Sequence, residues 1–298
     1  MSGNGRTIVV TGCSSGIGYT CAHGMAERGW RVIASARHND DLARLKAEGI
    51  ETVQLDYAEP KSVARCADDV LERTGGKLDA LFNNGAYGQP GAVEDLTPDV
   101  LRAQFEANVF GWHDLTCRLI PAMRANGGGR IVQCSSVLGL VALKWRGAYN
   151  ASKFAIEALS DTMRLELKDA GIHVCQIEPG PIRSRFRENA IAMLRANVDM
   201  ENSPHRDEYN RQLSAEEPKL KAEPRPPEKP AEARAKAGTR WRPRYRLGPD
   251  AVLDRLIHAT ESPRPKPRYY VTLPTVVMAT ARRVLPHRML DTLANKSS

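Results

Sequence analysis

Short apolar runs alternate with amphipathic stretches from the first residues of the chain. Residues 8–11 are apolar, 18–28 amphipathic, 31–35 apolar, 40–48 amphipathic, 52–55 apolar and 62–73 amphipathic. The alternation continues through 78–82, a long helical pattern over 98–124, the apolar run 130–134, a helix over 148–169 and the run 173–177. Six short apolar strands separated by helices predict a parallel sheet covered on both faces, because parallel strands need crossovers and bury both sides. A further helix near 250–260 and an apolar strand over 269–273 bring the count to about seven. The expected architecture is a single doubly wound α/β domain over 1–298.

The pattern breaks after Pro181. Residues 201–246 hold seven prolines and many charges, with Leu213, Leu220, Trp241 and Tyr245 as the apolar anchors. Such a segment cannot form its own core, so 185–246 reads as a charged, proline-rich flap over a site, in part a disordered loop. The tail 274–298 is amphipathic at best. Packing on the domain, a dimer contact and a membrane surface are all open to it.

Charge and cysteine usage narrow the picture. Lys and Arg number 19 against 21 Asp and Glu over residues 1–182, but 24 against 14 over 183–298. The first part is nearly neutral and the C-terminal third strongly basic. That fits a solvated face, with anionic lipid, an acidic carrier or another polyanion as the alternatives. No interleaved stacking motif accompanies the charge, which argues against nucleic acid. None of the six cysteines forms a Cys-x-x-Cys pair, and the seven histidines are scattered, so they read as reduced core residues and no metal is expected. With no apolar run long enough to span a bilayer and no leader pattern, the chain reads as cytoplasmic.

Between the first strand and the first helix stands Thr11-Gly12-Cys13-Ser14-Ser15-Gly16-Ile17-Gly18. Glycine permits positive φ and lets backbone approach a pyrophosphate, whose charge the free N–H groups of the helix N-terminus stabilise. In a strand–turn–helix context this predicts a dinucleotide site on Gly12, Ser14, Ser15, Gly16, Ile17 and Gly18. The end of the second strand should choose the cofactor. Arg37 there presents a guanidinium suited to a 2′-phosphate, whereas Asp40 and Asp41 suit the first turn of the next helix, so NADP(H) is expected.

Tyr149 and Lys153 lie four apart at the start of a predicted helix, on one face. An ammonium beside a phenol favours its anion; a tyrosine at its ordinary ~10 needs a shift of a few units to act near neutrality. Ser135-Ser136 follows the strand 130–134, at the end of a parallel sheet where ligands bind. Asn84-Gly85-Ala86 follows the fourth strand, and Asn108 sits inside a long helix where a polar amide needs a reason.

The spacing Gly-x-x-x-Gly-x-Gly, together with Tyr149-Asn150-Ala151-Ser152-Lys153, resembles the short-chain dehydrogenase/reductase family over roughly residues 5–185 and the last helix and strand. The resemblance implies a Rossmann-type sheet and an NADP(H)-dependent interconversion of an alcohol with a ketone or aldehyde. It implies Tyr149 as general acid/base, Lys153 as the group that tunes it and holds ribose, Ser136 as the residue orienting substrate, and Asn108 as the anchor of a proton relay. Asp56 and Tyr57 match the pair beside adenine, and Asn84, Gly85 and Ala86 the turn under the cofactor. Pro179, Gly180, Ile182 and Ser184 match the loop that receives the carboxamide. Gly85 stands where alanine is usual and Ser184 where threonine is usual. The family also implies a dimer or tetramer. The charged insertion and tail resemble the steroid, retinoid and aldehyde reductases of the family, hence a lipophilic carbonyl or alcohol. A 3-oxoacyl carrier-protein reductase and a non-catalytic NADP(H)-binding redox sensor are the alternatives.

Overall fold

The computed structural model describes residues 5–222 and 246–296. Seven strands form one sheet: β1 (Thr7–Val10), β2 (Arg31–Ala36), β3 (Glu51–Gln54), β4 (Ala80–Asn83), β5 (Gly129–Cys134), β6 (Ile172–Glu178) and β7 (Arg268–Tyr270). Their order is β3-β2-β1-β4-β5-β6-β7, and every pairing is parallel. The residues explain this: β1 and β4 are buried at every position, as a strand covered on both faces must be. The chain reverses its direction of travel across the sheet between β1 and β4. That switch point opens a crevice beyond the strand ends, and it places the ends of β1, β4 and β5 around one site.

Helices α1 (Gly16–Glu27), α2 (Asn39–Ala47), α3 (Pro60–Thr74), α4 (Pro98–Phe105), α5 (Gly111–Ala125) and α6 (Gly147–Glu166) follow the predicted spans closely. Asp40 and Asp41 do fall in the first turn of α2, where the helix dipole favours them. The long helix expected over 98–124 is one rod with a π-helical turn, Glu106–Phe110, joining α4 to α5. Asn108 lies in that turn. Beyond the sheet's core come α7 (Phe186–Asn197), α8 (Arg206–Ala222), α9 (Asp250–Glu261), α10 (Leu273–Val284) and α11 (His287–Lys296).

Three expectations change. Residues 206–222 of the predicted loop are helical, because Tyr209, not counted among the anchors, is wholly buried in a second small core with Ala92, Leu194 and Val198. Leu213 packs against that core, whereas Trp241 and Tyr245 lie outside the described residues. The last strand ends at Tyr270, short of the expected 273, and Pro274 stands in the first turn of helix α10, where its missing N–H costs nothing. Five of the six cysteines are buried and all are unpaired, but Cys117 is exposed on α5. No helix among the described residues is long and apolar enough to cross a membrane.

Candidate active site

The glycine turn is shaped by contacts that admit no side chain. Gly12 and Gly16 hold φ of +69° and +60°, in the region glycine alone enters freely. A Cβ on Gly18 would lie 2.2 Å from the Gly12 carbonyl oxygen, and one on Gly12 would lie 2.4 Å from the Cα of Gly85. Gly85, where alanine is usual, therefore stacks directly on Gly12, and a methyl there would sit 3.2 Å from both Gly12 and the Tyr57 ring. Thr11 fastens the two loops: its hydroxyl accepts from the backbone N–H of Asn84 (2.8 Å) and Gly85 (3.2 Å), while Asn84 Nδ2 donates to the Thr11 carbonyl at 3.0 Å. Ser15 precedes α1 without capping it through its side chain, and the first turn carries no acid. The free N–H groups of this terminus suit an anion, and the close-packed glycines leave a cradle that any Cβ would fill. These residues fit the pyrophosphate of a dinucleotide.

Arg37 is exposed immediately after β2. A second cation, missed in the sequence, lies against the glycine turn: Arg44 of α2 donates to the Ser14 carbonyl at 2.5 Å and lies over the Tyr19 ring. Asp56 is half-buried and accepts from Ala58 N–H. Tyr57 is turned the other way. Its phenol is buried, donating to Asn83 Oδ1 at 2.6 Å with Thr11 Oγ1 3.0 Å away, so only its backbone is available to a base.

Around a cavity of about 310 Å³ the structure collects Ser136, Tyr149 and Lys153 on one side and Ile17, Asn84 and Ala86 on another. Pro179, Gly180, Ile182 and Ser184 close it. Gly16 meets this loop, since a Cβ there would lie 3.0 Å from Ser184 Cβ. Asn108 stays outside the cavity, fully buried. Its amide donates to the Tyr87 carbonyl (2.9 Å) and Ser152 Oγ (3.2 Å) and accepts from Tyr87 N–H (3.2 Å). The side-chain amide ties the π turn to the loop after β4 and to α6, one residue from Lys153.

Lys153 is 1% exposed, donates to the Cys134 carbonyl at 2.8 Å and stands 4.3 Å over the Trp112 ring. Trp112 in turn donates from Nε1 to the Gly85 carbonyl at 2.7 Å. Sequence reasoning missed this tryptophan, although its place four residues after Asn108 puts both on one helical face. Burial pulls the lysine down to about 8, with Cys134 and Glu157 opposing the fall. Burial also pushes the Tyr149 phenol above its ordinary range; Cys134 adds to the rise and a hydrogen bond with Ser136 opposes it. Desolvation therefore outweighs any tuning of the phenol by the lysine, whose nitrogen lies 5.6 Å from the phenol ring's centroid. In the protein alone the pair is a neutral phenol beside a lysine that titrates near neutrality.

The outer wall holds residues the motifs did not flag. Phe186 of α7 tilts against Tyr149 with ring centroids 5.3 Å apart, and Val137, Leu138, Leu143 and Ala190 add apolar surface. Trp145, just before α6, has φ of +62°, unlike any other non-glycine residue described; such strain costs about 1 kcal/mol and is stored where structure over-determines it. Its ring meets His205 and Tyr209 edge-on, and the Tyr209 hydroxyl accepts from Ala92 N–H at 2.8 Å and donates to Asp95.

Comparisons with known proteins agree with this geometry. The profile of the short chain dehydrogenase family matches residues 6–195. "Uncharacterized oxidoreductase YbbO" of Escherichia coli is 40% identical over 286 residues, 96% of this chain and 93% of that protein. "Dehydrogenase/reductase SDR family member 7B" of Bos taurus is 35% identical over 196 residues, covering 62% of this chain and 60% of that one. A solved short-chain dehydrogenase from Streptomyces avermitilis superposes with a TM-score of 0.70 at 29% identity, over 98% of this chain and 94% of that one. The chain is a short-chain dehydrogenase/reductase, an oxidoreductase of a family that uses nicotinamide dinucleotides.

Proposed function

We propose that the protein is an NADP(H)-dependent reductase of lipophilic ketones or aldehydes, running the reverse oxidation when the alcohol is in excess. The observation that carries this reading is the convergence of Tyr149, Lys153 and Ser136 on one cavity whose remaining walls are the glycine-turn residue Ile17 and the loop Pro179–Ser184. The cofactor, when bound, supplies or accepts the hydride. Ser136 and Tyr149 hold the substrate oxygen by hydrogen bonds, and Tyr149 Oη carries the proton that the oxygen gains. A phenol held neutral by burial is already the acid that reduction requires. Lys153, fixed by the Cys134 carbonyl and the Trp112 face, replaces that proton, and Asn108 holds Tyr87 and Ser152 so that α6 keeps its register with the loop after β4.

Val137, Leu138, Leu143, Phe186 and Ala190 favour an apolar substrate body. Phe186 and Ala190 of α7 supply one wall, and Leu194 later in the same helix packs with Tyr209. The C-terminal helices bear on the source of such a substrate: Leu273, Val276, Val277 and Val284 form an exposed apolar stripe on α10, flanked by Arg283. Contact with an anionic bilayer is the use this surface suits, and co-sedimentation with vesicles, with and without residues 275–298, measures it.

The central test is consumption of NADPH with a panel of aliphatic and aromatic aldehydes and ketones, for wild type and Tyr149→Phe. Turnover by the wild type and its loss by roughly 100-fold or more in the variant is the expected result. Tight NADPH binding with no turnover in either protein would instead favour the redox sensor.

A further inference from the structure

Behind the active-site lysine, α6 continues the spacing of four. Tyr149, Lys153, Glu157 and Asp161 occupy successive turns of one face, running from the cavity to the surface. Glu157 is 6% exposed and Glu178, the last residue of β6, is wholly buried. Both reach the same nitrogen of Arg268 on β7: its Nη1 donates to Glu157 Oε2 and, at 2.8 Å, to Glu178 Oε1. Its Nη2 donates to Asp161 Oδ2 at 2.6 Å. Three carboxylates thus share one guanidinium, and two of them share one nitrogen. Glu178 Oε2 has no hydrogen-bond partner; Glu157 Oε1 and the Ser135 hydroxyl fall short of good hydrogen-bond geometry but lie near enough for the hydroxyl to favour the Glu157 carboxylate. Ser135 also lines the cavity, as Lys153 does. It lies close to Glu157, for a Cβ on Gly139 would meet Ser135 Oγ at 2.8 Å and Glu157 Cγ at 2.9 Å.

Like charges crowded in a dry site oppose each other's ionisation, while the Arg268 guanidinium they share favours it. Burial raises both carboxyls, Glu178 to about 8. The charged groups facing them are Lys153 and Asp161 from α6 itself and Arg268 from β7; Ser135 and Gly139, after β5, are uncharged, and Arg164 pairs with Asp161 at the outer end.

We propose that Glu157 and Glu178 share one buried proton over Arg268, and that Glu157, through Ser135, returns it to Lys153 after each reduction. This rests on the reductase reading. The balance is simple: the Tyr149 O–H bond breaks as the product O–H forms, and Tyr149 takes a proton from the lysine ammonium. The lysine amine takes one from the carboxyl pair, and the resulting carboxylate is reprotonated from solvent at the Asp161 end, which is 39% exposed. The hydride is the cofactor's, so no further reductant enters. Glu157 is a positioning and proton-holding residue one helical turn beyond Lys153.

Infrared titration of the full chain tests the store without turnover. A carboxylic-acid C=O band that persists at neutral pH, fades through about pH 8 and is missing in Glu178→Gln is expected. Absence of such a band in wild type overturns the proposal. Kinetics test the return of the proton. Glu157→Gln is expected to lower kcat for NADPH-dependent reduction about tenfold with KM for NADPH unchanged, and to move the alkaline limb of the kcat profile down by about one pH unit, since the lysine loses the carboxylate that favours its ammonium. Glu157→Asp should recover part of both. A profile superimposable on wild type overturns the proposal, as does a uniform loss at every pH with a lowered melting temperature. A wild type that binds NADPH but reduces nothing sinks the reductase reading and the proton return with it, while the band still decides whether the pair holds a proton.

Discussion

The two halves of the site are built from different materials. The turn after β1 is made of backbone: Gly12, Gly16, Gly18 and Gly85 press main chain against main chain, and no group that titrates near neutrality stands among them. The region around β5, β6 and α6 is made of buried charge: Lys153, Glu157, Glu178 and Arg268 lie within the sheet's end, each held by hydrogen bonds. The first half is set by shape, and at Gly12 or Gly18 a single methyl would collide with backbone. In the mechanism proposed above the second works by protonation, and burying its charges costs stability.

The sharpest way to break this contrast is to add a carbon to the first half. Gly18→Ala must displace the Gly12 carbonyl, and loss of NADPH binding by more than about 100-fold, or loss of folding, is expected by fluorescence titration and circular dichroism. Gly49→Ala is the control, with φ of +85° but open space; it should cost only about 1 kcal/mol. If both alanines behave alike, close packing is not what defines the turn.

Removing charge from the second half should act in the opposite sense on stability. Lys153 titrates at about 8 in the fold against 10.5 ordinarily, so its ammonium is disfavoured on burial. That cost is fully present below about pH 8 and is relieved as pH rises from there to about 10.5. Lys153→Met should therefore lose roughly 100- to 10,000-fold in kcat while gaining about 2 kcal/mol of stability at pH 7, the gain shrinking above pH 8. Denaturant melts at the two pH values measure it, and a destabilised variant would contradict the assignment of the cost to burial.

Smaller effects sharpen the edges. Arg37→Asp should lower NADPH affinity about 10- to 100-fold and narrow or invert the preference over NADH; equal use of both cofactors by wild type would remove Arg37 from the choice. Tyr209→Phe deletes the hydroxyl held between Ala92 N–H and Asp95, leaving both partners short. About 1–2 kcal/mol of stability and a raised KM for bulky substrates, with kcat nearly intact, are the expected changes.

The same division explains what the sequence disclosed. Glycine has one reason to recur between a strand and a helix, so the nucleotide turn could be located from Gly12, Gly16 and Gly18, and the order of elements followed from hydrophobic period alone. Tyr149 and Lys153 were visible because four residues make one helical face. Trp112, Arg44 and the Glu157–Glu178–Arg268 cluster were not, since their partners lie between 27 and 111 residues away and only the folded sheet brings them together. Asn108 marked itself as an anomaly, but the π turn that houses it has no sequence period of its own. The helix at 206–222 was hidden by the prolines and charges around it; one tyrosine, buried against a distant aspartate, outweighed the composition.

Cys117 is the lone solvent-facing thiol among six; burial raises all six, but it hides only the other five. A maleimide dye should consequently mark the native chain once, on the outer surface of α5, and six times in denaturant. The stoichiometry of labelling then becomes a gauge of how far the sheet has opened, readable without substrate, cofactor or any assay of turnover.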